Sequence, residues 1–426
     1  DFLAWAGIPP GRDARRATAV PGEETIEAIQ RAAKKRRMME AIIEHTGKNA
    51  QSGAAMLAQT NALTQGFDRT GAAELLFQLA NRYTRTGDWP LAAETFEMIL
   101  QRYPEQPAAT ASHLWLLRYY ASTEAARWQG AERSPSRTPP ERDAPPRPPS
   151  QRLERAVALG NLLQQSRPDL YAEPSVGFLL ASVDRQRRDM SRAERFYAAQ
   201  RRSAAQDAWW ASAQFEQWLA APRGETAKPV LRCRRAEEKP RLDGVLDDSA
   251  WKDAGSAELR SPLGDDAAWP ASVMLVHDDQ FLYVAIRARC AAGVKYSPTP
   301  GTRSRDADLS ANDRIDVFLD LDRDYATYYH LSIDYRGWTA EDCWGDPTWN
   351  PQWFVAAKVN DGSWTAEAAI PLNQLTAAAP TADDAWAIGA QRTVPGVGFQ
   401  SWSKPAADPP IPEGFGYLLF GEPRRK

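Results

Sequence analysis

The stretch Arg314-Ile-Asp-Val-Phe-Leu-Asp320 alternates along its length, so that in an extended chain Ile315, Val317 and Leu319 face one way and Asp316 and Asp320 the other. A helix would scatter these residues around its circumference. The same period of two returns in Ser272–His277, Phe281–Ala288, Tyr328–Asp334, Phe354–Val359, Trp364–Ile370 and Phe415–Phe420, short runs separated by Asp-Asp, Asp-Gly and Arg-Gly turns. That spacing predicts an antiparallel β-sandwich over residues 226–426.

Upstream the period changes. From residue 22 to about 221 the chain is rich in Ala, Leu, Arg, Glu and Gln, with apolar residues every three to four positions, which is the helical repeat. Within it, residues 71–104 place Ala80 and Ala92 where two helices approach and Gly87 where the chain turns, and this stretch resembles a tetratricopeptide repeat. A weaker copy spans Phe178–Gln200, with Ala181, Ala193 and Tyr197 in place. The segment 134–150 holds seven prolines in seventeen residues and reads as an extended linker. The expected organisation is therefore multidomain: a helical region over 1–133, a linker at 134–150, helical hairpins over 151–225, and the sandwich. A helical surface of this kind is expected to contact a protein partner, or else to serve as a packed spacer.

Composition removes several classes. The net charge is −3 and neither half carries a basic stripe, which argues against a nucleic-acid partner. No run approaches the ~20 apolar residues of a membrane span. Three cysteines without CxxC spacing suggest neither a zinc site nor a disulfide framework. The four histidines lie outside any metalloprotease or nucleophile-elbow context, so the chain reads as a binding protein sooner than an enzyme.

Trp344-Gly-Asp-Pro-Thr-Trp349-Asn-Pro-Gln-Trp353 concentrates three indoles among turn-forming residues, and Trp402 stands in Gln400-Ser-Trp-Ser, a short way after Arg392. Sugars lay C–H faces on aromatic rings and offer hydroxyls to polar side chains, so exposed Trp beside Asp, Asn, Gln, Glu or Arg suits a glycan. Trp344, Trp349, Trp353 and Trp402 are the expected contact rings, although Trp353 also opens a strand. Trp251, Trp364 and Trp386, at alternating apolar positions, are expected in the core. The polar set Asp316, Asp320, His330, Asp334 and Glu367 reads as a solvated outer face.

Pro240-Arg-Leu-Asp-Gly-Val-Leu-Asp-Asp-Ser-Ala-Trp251, followed by Asp278–Ala285, Asn312–Asp320, Tyr328–His330 and Trp364–Leu372, resembles the ordered motifs of family 9 carbohydrate-binding-module-like domains. The resemblance implies a sandwich that holds short glycans or polysaccharide ends without cleaving them, often with structural calcium. It places an acid at Glu367, which joins Arg392 and the four indoles as the expected carbohydrate site. It also favours an extracytoplasmic, bacterial setting, although the chain, which opens at Asp1, shows no charged-then-apolar leader.

Alternate carboxylates at Asp320, Asp322 and Asp324 could begin a calcium loop, although Tyr325 and Leu331 depart from the helix-loop-helix calcium pattern, and a charged turn is the competing reading. Two further functions stay open. The sandwich could be a protein-interaction scaffold with its rings turned to the helices, or Asp316 and Glu367 could be the facing carboxylates of a glycoside hydrolase.

Overall fold

The computed structural model describes residues 67–132, 151–297 and 306–421, with Arg37 and Thr64 as isolated positions. The proline-rich segment 134–150 and nearly all of 1–66 lie outside the described residues. The chain divides into two units, Asp1–Gln78 and Leu79–Lys426.

Helices come first in the sequence: α1 (Arg69–Arg85), α2 (Trp89–Arg102), α3 (Pro107–Ala121), α4 (Thr123–Glu132), α5 (Gln151–Ser166), the single turn α6 (Pro168–Tyr171), α7 (Pro174–Gln186), α8 (Met190–Gln200) and α9 (Ala208–Ala220). Four of them carry proline in the first turn, where a missing N–H costs nothing. The Asp207 side chain caps α9 by accepting from Trp210 N at 2.9 Å. Both expected helix pairs are present as helix-turn-helix elements. Gly87 turns the first at φ +75° and Arg188 the second at φ +65°.

Twelve strands follow: β1 (Val230–Arg235), β2 (Ser256–Leu259), β3 (Ala271–His277), β4 (Phe281–Arg289), β5 (Arg314–Asp320), β6 (Tyr329–Asp334), β7 (Thr339–Cys343), β8 (Phe354–Asn360), β9 (Ser363–Pro371), β10 (Ala385–Val394), β11 (Gly398–Ser401) and β12 (Gly416–Phe420). They pair in the order β7-β6-β5-β10-β12-β1-β3-β4-β9-β8, with β11 beside β10 and β2 beside β3. Most pairs are antiparallel, as the short turns require. β1 differs. Its first four residues run parallel to β12 and its last two parallel to β3, so one strand serves two half-sheets.

The sheet curls about that strand. Leu275, Val284, Ile286 and Trp364 from one half share a single core with Ile315, Val317, Leu319 and Leu331 from the other. Trp251, Trp364 and Trp386 are buried, as their alternating positions suggested.

The outer face carrying Asp316 and Asp320 was expected to be solvated, and helices cover much of it instead. Phe178, Tyr197 and Phe215 pack on Phe318, Tyr325, Ala387, Tyr417 and Leu419. A buried triad reinforces the contact: Glu216 of α9 pairs with Arg185 of α7 and with Arg323 of the β5–β6 turn, both at 2.6 Å. Burial opposes its ionisation, yet the two guanidinium groups hold the Glu216 carboxyl down at about 2.

A strand packed on both faces needs small residues where the second layer presses. At Gly389 of β10 an added Cβ would lie 2.6 Å from the Phe415 ring and 3.0 Å from Phe318, rings that stack on each other 5.7 Å apart. Gly389→Ala should therefore destabilise the protein by roughly 1–3 kcal/mol through overpacking, read as a lowered denaturation midpoint with an unchanged slope.

Candidate functional site

The tryptophan loop after β7 turns inward. Trp349 is 2 % exposed and stacks on Tyr329 at 4.4 Å, and Trp353 is 5 % exposed within the core. Trp344 is half-buried, stacked on Trp115 of α3 at 5.6 Å and set edge-on to Trp89 of α2 at the same distance. Its φ of +50° is the left-handed region a bulky residue enters only when its surroundings hold it there. Trp128 of α4 donates from Nε1 to Asp346 Oδ2 at 3.2 Å. The expected exposed ring surface is thus corrected to a seam that joins three helices to the sheet. Gly345, Pro347 and Asn350 remain exposed because they supply the turns, and the rings they separate supply the packing.

Trp402 is half-buried against Gly416, where a Cβ would meet its ring at 2.6 Å. Arg392, expected to face a ligand, is fully buried. It donates from Nε and Nη2 to Asp313 at 2.9 and 2.6 Å and from Nη1 to Trp269 O at 2.7 Å. Asp313 also accepts from Trp364 Nε1 and Tyr296 OH, which makes the pair a structural hub. Glu367 is likewise buried. It accepts from Trp251 Nε1 and Gly244 N, both at 2.9 Å, and from Asp243 N at 3.2 Å, and burial pushes its carboxyl up. Asp316 stands on β5 within the other half-sheet, so Asp316 and Glu367 belong to separate networks.

A pocket of about 360 Å³ with mixed polar and apolar lining opens on the outer face beside the helical layer, lined by Arg314, Asp316, Phe318, Tyr328, His330, Ser332, Asp342 and Gln391 among others. Register builds it. Asp316 lies opposite Ser332 and Gln391, Phe318 opposite His330, and His330 opposite Asp342. His330 is held between two carboxylates, Nδ1 to Asp342 Oδ2 at 2.8 Å and Nε2 to Asp316 Oδ1 at 3.0 Å. Carboxylates only accept, so both ring nitrogens carry protons. Burial favours the neutral ring, but the two aspartates overcome it and raise His330 to about 10.

For Asp316 burial works upward, and the His330 contact with Arg314 and Ser332 brings the carboxyl below its ordinary value. Phe318 stacks on the imidazole at 4.6 Å. Tyr328 is half-buried beside them, and burial raises its phenol to about 12. The polar set read from the sequence contained Asp316 and His330 and missed Arg314, Tyr328, Ser332, Asp342 and Gln391. Only the pairing of β5 with β6 and β10, and of β6 with β7, could have revealed those.

A second cluster lies where α4 meets the β5–β6 turn. Glu124, Asp320 and Asp322 offer oxygens within 4.8 Å of one another. Burial and the neighbouring carboxylates push Glu124 and Asp320 well above their ordinary values. Asp322 Oδ1 is buried without a hydrogen-bond partner. Asp324 adjoins this trio, with its backbone N–H donating to Asp320 Oδ1 at 3.2 Å. Its oxygens accept from Ala326 N, Thr327 N and Thr327 Oγ1, while burial and Asp322 raise it to about 7. Three convergent carboxylates with one orphan oxygen fit a hard cation such as calcium. Glu124, the third carboxylate of the trio, comes from the helical half.

Residues 242–394 match the model for carbohydrate family 9 binding domain-like proteins. Glu367 explains the motif that opens the match, since it clamps Asp243 and Gly244, and a Cβ on Gly244 would press within 3.0 Å of the β8 backbone. A family 9 carbohydrate-binding module of Caldicellulosiruptor kristjanssonii, solved with cellotriose, is similar over 46% of this chain and 96% of its own, at 17% identity and a TM-score of 0.34. The same organism's module with glucose gives 18% identity, the same 46% of this chain, 98% of its own and 0.33. A protein of Bacteroides uniformis ATCC 8492 described as carbohydrate-binding gives 13%, 46%, 100% and 0.36. No curated protein matches the chain.

The charge state of the pocket is directly measurable. In a ¹⁵N-histidine NMR titration His330 should stay doubly protonated to about pH 9, whereas His113 and His277, which burial pushes down, should be neutral by pH 7. Because the His330 value is raised on folding, its contribution to stability is full below the unfolded value and is lost as pH rises through about 10. Asp342→Asn should bring the His330 transition down by at least one unit.

Proposed function

We propose that the protein binds glycan without cleaving it, and that the Tyr328–His330 pocket is the binding site. The observation that carries this reading is a pocket of about 360 Å³ that combines a half-buried ring with fixed donors and acceptors inside the family 9-like segment. The Tyr328 ring offers a face for pyranose C–H groups. Asp316 and Asp342, oriented by His330, accept hydroxyl protons, and Arg314 and Gln391 donate. A site so tied down loses little freedom on binding.

The indoles first expected to hold sugar support a second reading. With Trp344 and Trp349 packed into the helix–sheet seam, the aromatic loop serves protein packing, as an interaction scaffold would require. We infer that the two uses coexist, with glycan on the sheet and a protein partner on the tetratricopeptide-like helices, in an extracytoplasmic accessory protein. Among the described residues no helix is long and apolar enough to cross a membrane. The glycan reading is tested by isothermal calorimetry of the full chain with neutral β-linked trisaccharides of glucose, xylose and N-acetylglucosamine. Saturable binding is expected, weakened at least tenfold by Tyr328→Ala and by Asp342→Asn. Folded protein that binds none of the three overturns it.

A structural calcium held by Glu124, Asp320 and Asp322 accompanies this reading. Buried carboxyls with raised folded values stabilise the metal-free protein at low pH, and that contribution is lost as pH rises through about 7, the value for Asp324. A cation would neutralise the same charges without protons. Millimolar calcium should therefore raise Tm clearly at pH 8 and little at pH 5, by about 2.7 kcal/mol of stability at a hundredfold excess over Kd. Glu124→Gln should remove the effect, and an equal shift at both pH values would rule out the cluster.

A further inference from the structure

A second cavity, of about 430 Å³, lies outside the family 9-like segment, where the chain passes from helix to sheet. Trp218 of α9 and Arg232 of β1 both line it, and the strap Gly224–Pro229 that joins these two elements closes one side.

The strap is fixed. Trp218 Nε1 donates to Gly224 O at 3.2 Å, Gln214 Nε2 donates to Glu225 O at 3.1 Å, and Gln214 Oε1 accepts from Ala227 N at 3.0 Å. The indole is fixed as well. An aromatic column rises from the sheet, with Phe215 stacked on Tyr417 at 3.2 Å and Trp218 stacked on Phe215 at 5.7 Å. Trp218 ends the column, half-buried, and among the described residues no further ring covers its second face.

Two basic side chains line the cavity and only one is committed. Lys228 turns inward to donate to Ser212 Oγ at 2.6 Å and to Glu413 O. Arg232 sits on the outer face of β1, opposite Leu419, half-buried and without a hydrogen-bond or ion-pair partner among the described residues. The exposed Glu225 side chain is also without one. The half-buried Arg232 guanidinium therefore keeps its donors available to a ligand.

We propose that this crevice is a second carbohydrate subsite, one that takes a neutral pyranose ring. The sugar lies with its C–H face on the open face of Trp218, two adjacent hydroxyls accept from the Arg232 fork, and the Glu225 carboxylate accepts from a third. An anionic sugar is disfavoured because the Glu225 carboxylate lines the same cavity as Arg232. The proposal takes the ligand's chemistry from the glycan reading above, while the cavity and its free groups stand without it. Crevices between packed layers are common places for small-molecule sites.

The test labels the full chain with 5-fluorotryptophan and follows ¹⁹F NMR during titration with the same three neutral trisaccharides and with a trigalacturonate. The Trp218 resonance is assigned as the one missing in Trp218→Phe. It should shift saturably with at least one neutral trisaccharide, also in Tyr328→Ala protein, and the affinity should fall roughly ten- to a hundredfold in Arg232→Ala. Glu225→Gln, at an exposed position with no partner to lose, gives a weaker loss in protein whose fold is untouched. A Trp218 signal that stays still while calorimetry records binding lost in Tyr328→Ala overturns the second subsite and leaves the first intact. A response only to trigalacturonate, or one unaltered in Arg232→Ala, overturns it as well. A Trp218 response in protein whose calorimetry is indifferent to Tyr328→Ala sustains the second subsite and removes the first.

Discussion

Strand β1 runs parallel to both of its neighbours, and the arrangement of the other strands depends on that. An antiparallel sheet can be built outward from hairpins, each pair closed by a short turn. Here the first strand lies between β12, the last, and β3, so the two half-sheets join only when the ends of the sheet region have met. Leu231 and Cys233 occupy the join and belong to the same core as residues from both halves. Long-range pairing of this kind forms late and loses more chain entropy than any hairpin. It also fixes the polarity of the region: the chain enters the sheet straight from α9, beside the strand on which α9 packs.

Aromatic residues divide into groups according to what surrounds them. Trp364 fills the core and ties to Asp313, the Trp344–Trp349 group binds α2, α3 and α4 to the sheet, and Phe178, Phe215 and Tyr417 bind α7 and α9. Side chains able to meet a small molecule from outside are left at the margins of these seams. Tyr328 edges the cladding over β5 and β6, and Trp218 ends the column over β12. The second cavity is walled by the last helix through Trp218, and the first by the loop residues Leu309, Ser310, Asp408 and Pro410.

Period and turn chemistry made the strands legible, down to the inward set Ile315, Val317 and Leu319 and the buried Trp251, Trp364 and Trp386. The parallel β1 could not be read, because Val-Leu-Arg-Cys-Arg-Arg carries no mark of its partners' direction. Ring placement failed for a different reason. Gly345, Pro347 and Asn350 do lie at the surface, but turn-forming neighbours report where the backbone bends and say nothing of which way an indole between them points. Arg392 misled because its partner Asp313 is 79 residues away in the sequence, and a buried guanidinium looks like an exposed one until that partner is known. Of the candidate pocket only Asp316 and His330 were visible. Asp342 was hidden in Thr-Ala-Glu-Asp-Cys, which has too little β-branched character to declare itself a strand. Glu124 was hidden by its isolation in a helical segment remote from the aspartates it joins.

The cladding of β5, β10 and β12 also bears on how this sheet can be inherited. A carbohydrate-binding module that travels between proteins must keep both outer faces water-compatible, so that it can be cut from one neighbour and joined to another. Here the strip formed by Phe318, Tyr325, Ala387, Tyr417 and Leu419 is apolar and lies beneath helices. Severed at the strap before β1, the sheet would present that strip to solvent as a surface prone to self-association. In this chain the sheet thus depends on the helices before it for the cover of that strip.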